Sequence, residues 1–341
     1  MLLSPLSVWT ALGMTLNGAG GATEAEMRTT LGWGTRTREE INTAYRDLAT
    51  LLPTLDPSVT VHSANGIWVR DGLTVDAGFT QDVRTYFGAD VTSRPTPQAM
   101  YDAVNVWGNE QTDGLIPRVL TGEPPDDLLM LLANAVLFDG QWRERIDPAK
   151  TRDAPFQLKD GGSVIVPMMQ QQGSFSGFWS SDLIAVELPY GNSAYAMLML
   201  VPKSGTLDAF VAGLDGARLT ALDNSIQPLP GNHFAYIPKF TVSGSLELRP
   251  ALEQMGMPRA FTDAAEFPRL LGPVAARMDF VKHAVKLEVN ERGTRAAAVT
   301  VVGMVPVSLP PEYRVDRPFV FLIRERFAGT ILFAGVVRDP R

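Results

Sequence analysis

Beyond residue 125 the chain is a succession of apolar runs of strand length: "LLMLLANAVLFDGQW", "SVIVPMMQQQGSF", "LIAVELPY", "AYAMLMLVP", "HFAYIPKFTVSG", "ARMDFVKHAVKLEVNE", "FVFLIRE" and "GTILFAGVV". Most are parted by Gly, Pro or Asn, the residues that supply turns, so this part of the chain reads as strands of large sheets. Ahead of them the pattern is helical. A short strand-like start leads into helical spacing through Val8, Leu12 and Leu16, which the glycines of "NGAGGAT" stop. Thr23 and Glu26 stand as the capping box of a second helix. Residues 37–52 read as a third, 58–69 alternate like a strand, and helices are expected over 76–88 and 97–111. A helical N-terminal third followed by many strands predicts an α+β fold, and with no linker or repeat in 1–341 the expectation is one domain.

Composition narrows the chemistry. At 45% hydrophobic residues, 341 residues can bury a sizeable core. The net charge of -7, with no dense Lys/Arg block, argues against nucleic acid and against an anionic membrane surface. The longest apolar stretches, such as 128–138 and 194–201, are too short to span a bilayer, and the N-terminus has no basic start of a signal peptide, so the chain reads as soluble. Its 24 Arg against 6 Lys point to a GC-rich genome and to nothing mechanistic. With no cysteine, disulfides, thiolate nucleophiles and thiolate metal sites are excluded.

Catalysis finds little support in the motifs. G-x-S-x-G and the P-loop are absent, and His62, His233 and His283 stand singly, without metal-ligand spacing. Ser4, Ser7 and His283 offer a Ser/His pairing in principle, yet Ser7 lies at the start of an apolar helix, which favours a buried polar cluster. No catalytic residue, metal or cofactor is expected.

One stretch asks for another explanation. "NERGTRAAAVTVVGMVPVSLPPE", residues 290–312, carries no charge from Ala296 to Pro311. In a strand, Thr294, Ala296, Ala298 and Thr300 share one face, with Arg295, Ala297 and Val299 on the other. Small side chains on the first face can slide between two existing strands, where a charge would be buried unpaired, and Gly293 supplies a pivot.

Taken with "SPLSVWTALGM", "VNVWGNEQTDGLI", "LANAVLFDGQW", "VPMM", "IPKFTVSG" and the terminal "RPFVFLIRE…GTILFAGVVRDP", in that order, the stretch resembles the hinge and reactive loop of a serpin, a serine protease inhibitor. The resemblance is to an inhibitory, prokaryotic member. It implies a serpin fold, with the reactive loop at about 292–311 and C-terminal strands at about 317–338. Met1 falls where the family has completed its first helix, so that helix is expected to be missing, and localisation stays open between secreted and cytoplasmic.

By the family's loop length the reactive bond is Val307–Ser308. A small β-branched residue at this position implies an elastase-like serine protease as partner, with Met304 a second bond for chymotrypsin-like enzymes. The covalent complex with the protease is expected of a monomer. The hinge comprises Gly293, Thr294, Ala296, Ala297, Ala298 and Thr300. The resemblance further implies a latch of Glu291 with Lys239 near Trp142 at the top of the main sheet, and a hydrogen-bonded cluster of Ser4, Ser7, Asn134 and His283 behind its centre. The alternative within the family is a non-inhibitory carrier, chaperone or storage protein, whose hinge usually carries bulky or charged residues on the inserting face.

Overall fold

Helix starts follow local side-chain chemistry. In Pro5–Leu16, Ser4 Oγ accepts the Ser7 N–H and Pro5 opens the first turn, where a missing N–H costs nothing. Arg38–Leu51 has a complete capping box from Thr37 and Glu40. Ala77–Phe87 is capped by Asp76 and stopped by left-handed Gly88, and Pro97–Gln111 is capped by Thr96. The expected Thr23–Glu26 capping box does not form. Helix Gly21–Thr30 starts earlier, and its cap comes from a distant segment: Glu266 Oε2 accepts the Ala22 N–H at 2.8 Å. Thr23 Oγ1 instead accepts the Glu266 N–H and Glu26 the Arg259 N–H, each at 2.9 Å, so both side chains tie the helix to that segment.

The computed structural model describes residues 1–173, 175–229, 233–294 and 312–341, and within them three sheets and the helices form an α+β architecture. The six-stranded sheet runs Phe240–Glu247, Lys282–Asn290, Gly293–Thr294, Met130–Gln141, Val59–Arg70 and Asp90–Arg94 in spatial order. A seven-stranded sheet is built around Leu183–Tyr190, Tyr195–Pro202, Phe319–Glu325 and Ile331–Val337, and a four-stranded sheet holds Ser163–Gly173 and His233–Pro238. Pairing is antiparallel throughout except Val59–Arg70 with Asp90–Arg94 and His233–Pro238 with Glu312–Arg314.

Leu183–Tyr190 is buried at every residue because both of its faces are covered. One face packs into the large core shared with Phe138, Trp142 and Phe321, the other against Phe210 and its neighbours. The second cover contains two helices, Leu207–Ala212 and Gly216–Ser225, which with Arg249–Met255 are set among the strands that make up most of the region beyond residue 125. The main sheet is covered on both sides lower down. Ile67 and Val69 face the core of the N-terminal helices, while Trp68 and Leu131 face helix Pro97–Gln111 through Met100 and Val104.

Candidate functional site

Strands Met130–Gln141 and Lys282–Asn290 both pair antiparallel with Gly293–Thr294, so they run parallel to each other and are joined through that short piece alone among the described residues. Everywhere else their facing edges lack a ladder partner among the described residues. Unpaired backbone groups in a sheet interior are costly, so such edges are a template for another strand.

At the upper end the wedge is fixed from several directions. Gly293 has φ +145°, a conformation that favours glycine, and a Cβ there would overlap the Gly140 carbonyl oxygen. Gly293 is therefore a close backbone packing point. Thr294 is 1% exposed, and its Oγ1 lies 2.7 Å from the hydroxyl of Tyr190. Burial drives the Tyr190 phenol well above its ordinary pKa, against the pull of the Thr294 hydrogen bond, so it stays a neutral hydrogen-bonding group. Trp142 stacks on Tyr190 with ring centroids 4.5 Å apart at 11°, and its Nε1 donates to the Asn290 carbonyl at 2.9 Å.

Beside this wedge, Lys239 Nζ lies 3.1 Å from Glu291 Oε2, and Thr151 Oγ1 donates to Glu291 Oε1 at 2.9 Å. Partial burial pushes the Glu291 carboxyl up, but its own amide, Lys239 and Thr151 outweigh it and hold the group below its ordinary value. With Lys239 41% exposed, the ion pair is worth under about 1 kcal/mol.

Lower down, a cavity of about 280 Å³ passes through the plane of the sheet between the two flanking strands. Helix Pro5–Leu16 closes it behind, through Ser7, Ala11 and Thr15; Trp107 and Gly108 of helix Pro97–Gln111 close it in front. His283, 6% exposed, accepts the Ser4 N–H on Nε2 at 2.9 Å, and Ser4 Oγ accepts the Ser7 N–H at 3.2 Å. Burial lowers the imidazole pKa to about 4, which keeps it neutral near pH 7.

Asn134 does not join this group as expected. Its Nδ2 donates the other way, to Ser63 Oγ at 3.0 Å, the Ala64 carbonyl at 3.1 Å and Asn65 Oδ1 at 2.9 Å. The physical reason is the cavity itself, since Asn134 and His283 stand on opposite strands with the open slot between them. Asn134 Oδ1 is buried without a hydrogen-bond partner among the described residues.

Of the hinge, only Gly293 and Thr294 are described; Ala296, Ala297, Ala298 and Thr300, with Val307 and Ser308 of the reactive bond, lie outside the described residues. His283 Nε2 is taken by a backbone amide, so neither serine hydroxyl is set against it as a nucleophile. Among the described residues no cluster of acidic or imidazole groups could hold a metal, and no helix is long and apolar enough to cross a membrane. Tyr190, Thr151 and Asn65 escaped sequence reasoning: "LPY" reads as a strand end, and nothing local marks Thr151 or Asn65 as partners of residues far along the chain.

The family model "Serpin (serine protease inhibitor)" matches residues 1–340. Serine protease inhibitor 42Dd of Drosophila melanogaster is 33% identical over 352 residues, covering 100% of this chain and 91% of that protein. The native state of tengpin, a thermophilic serpin, superposes with a TM-score of 0.90 at 27% identity, over 99% of this chain and 88% of its own. Thyroxine-binding globulin in complex with thyroxine superposes with a TM-score of 0.89 at 27% identity, over 100% and 92%.

Proposed function

The chain belongs to the serpin family, and from that premise we propose that residues 1–341 form one monomeric domain that inhibits an elastase-like serine protease as a suicide substrate. The observation that carries this reading is the pair of parted flanking strands with Gly293–Thr294 seated between them at one end. A sheet so arranged can accept an added strand, and the chain that continues from Thr294 is placed to supply it.

The protease serine attacks the Val307 carbonyl carbon, the bond to Ser308 breaks, and the Ser308 nitrogen leaves with a proton as a new amino terminus. Val307 is then held to the protease as an ester. Residues 295–307 follow Thr294 into the slot, a run of roughly 43 Å at ~3.3 Å per residue that carries the protease toward the opposite pole, where distortion stops deacylation. If roughly ten ladder hydrogen bonds gain about 1 kcal/mol each, insertion releases on the order of 10 kcal/mol, comparable with a whole domain's stability. The intact form is therefore metastable. Glu291 with Lys239 restrains the slot at its mouth; Ser4, Ser7 and His283 hold one flank to the helix behind it, and Asn134 holds the other.

Incubation with elastase tests the proposal. A detergent-resistant covalent complex and a released peptide beginning at Ser308 are expected; cleavage without a complex contradicts it. That second outcome is the signature of a non-inhibitory carrier, a reading favoured by the superposition with thyroxine-binding globulin. Against it stands the inserting face of the hinge, which from Thr294 to Thr300 holds only Thr and Ala.

A further inference from the structure

The outer margin of the six-stranded sheet offers a surface that the inhibitory reading does not use. Strand Asp90–Arg94 is last in spatial order, pairs parallel with Val59–Arg70 on one side, and has no ladder partner on the other among the described residues. Its two ends are charged, but Val91, Thr92 and Ser93 between them are not, so the middle of the edge is open to another backbone. Beside it runs helix Pro97–Gln111, and between the two lies an open groove of about 640 Å³. The strand is roughly 17 Å long at ~3.3 Å per residue, and the lining helix face from Ala99 to Glu110 is equally long at ~1.5 Å per residue, so the groove matches about five extended residues.

The walls specify what such a segment would carry. Trp68 and Trp107, both lining the groove, meet edge to face with ring centroids 5.3 Å apart, and Val106 on the helix is 60% exposed. Three carboxylates, Asp90, Asp102 and Glu110, line the groove against one guanidinium, Arg94. Among the described residues the side chains of Asp90 and Glu110 have no hydrogen bond or ion pair, and Asp102 accepts only from Gln98 Nε2, at 2.9 Å. Arg94 Nη1 donates to the Ser93 carbonyl at 2.7 Å and neutralises none of the three. Carboxylates beside an indole attract a cation by charge and hold it against the ring face.

We propose that the groove between strand Asp90–Arg94 and helix Pro97–Gln111 is a docking site for an extended segment of a partner protein, which adds to the strand's free edge and sets alternate Lys or Arg side chains among Asp102, Glu110 and Trp107. Main-chain pairing supplies the hold, and the alternate side chains supply the choice of sequence. The site stands apart from the inhibitory reading, and no protease enters its test.

The probe is a five-residue peptide of alternating Lys and Val with blocked ends and a fluorophore, titrated with the intact chain at low ionic strength. Saturable binding that weakens as salt rises is expected; no saturable binding overturns the proposal. Asp102→Asn with Glu110→Gln should weaken binding about tenfold. Glu123→Gln with Asp153→Asn, which removes the same charge from exposed positions outside the groove, should leave it within about twofold. Equal losses in the two variants would reduce the binding to attraction by the chain's net charge of -7 and overturn the site.

Two further peptides, N-methylated at every Lys or at every Val, separate pairing from charge, because successive residues of a strand turn their amides to opposite edges. One should bind about as the parent peptide does and the other at least about tenfold more weakly. Equal affinity of the two overturns strand addition, and lysine amide binding as tightly as the peptide overturns an extended partner. If the groove variant does not fold, the two methylated peptides on the parent chain decide alone.

Discussion

The seven-stranded and six-stranded sheets use the same kinds of residue to opposite ends. In the former, Leu183–Tyr190, Tyr195–Pro202, Phe319–Glu325 and Ile331–Val337 pair along most of their length, and a buried ion network locks one end. Arg324 lies 2.5 Å from Glu187 and 2.6 Å from Asp223, and Arg326 lies 3.0 Å from Glu187. In the latter, two long strands face one another across a cavity and, among the described residues, meet only through Gly293–Thr294. Apolar burial fixes where a sheet lies, but backbone pairing decides whether it is finished. The unfinished one is where function is expected.

The largest effect that sharpens this contrast comes from the wedge. Thr294→Arg would bury an unpaired charge where the native residue is 1% exposed, at a cost of several kcal/mol. The hinge should leave the sheet, and covalent complex with elastase should fall by at least about tenfold while loop cleavage continues. Complex yield equal to the parent's would break the link between Thr294 and insertion.

A control belongs on the finished sheet. Glu187→Gln removes one partner of a buried pair, Glu187 being 3% exposed, and should cost about 3–5 kcal/mol. The loss should be the same in intact and loop-cleaved chains, read from their denaturation midpoints. A loss confined to one form would mean that the two sheets are not independent.

The smallest effect is the pH response of the slot's flank. His283 has a folded pKa of about 4, below the 6.5 of an exposed imidazole. Between those values the unfolded chain binds the extra proton, so stability is full above about pH 6.5 and declines as pH falls toward 4. The total is on the order of 3 kcal/mol at 1.36 kcal/mol per pKa unit. His283→Gln, with a neutral acceptor for the Ser4 N–H, should flatten that stretch of the pH–stability curve. An unchanged slope would mean that other groups cause it.

What could be read from the sequence follows the range of the interactions. The strands beyond residue 125 were legible because burial on two faces writes itself as continuous apolar runs, as in Leu183–Tyr190. At the start of the expected hinge, Gly293 and Thr294 sit between the two flanking strands, where a small uncharged side chain fits and a charged one would be buried unpaired. The Thr23–Glu26 error shows the limit: the pattern was present, but Glu266, far along the chain, supplied the cap. Helices Leu207–Ala212 and Arg249–Met255 are too short for periodicity to separate them from loops. Asn134 was grouped with His283 by resemblance, and no residue type can tell on which side of a slot its amide will find partners.

The most direct measurement is the thermal unfolding of the chain before and after the reactive loop is cut, at one pH and concentration. Filling the slot with the chain's own strand should raise the midpoint of the cut form far above that of the intact form. Equal midpoints would contradict the account, because they would mean that the parted strands of the main sheet gain nothing from the segment that follows Thr294.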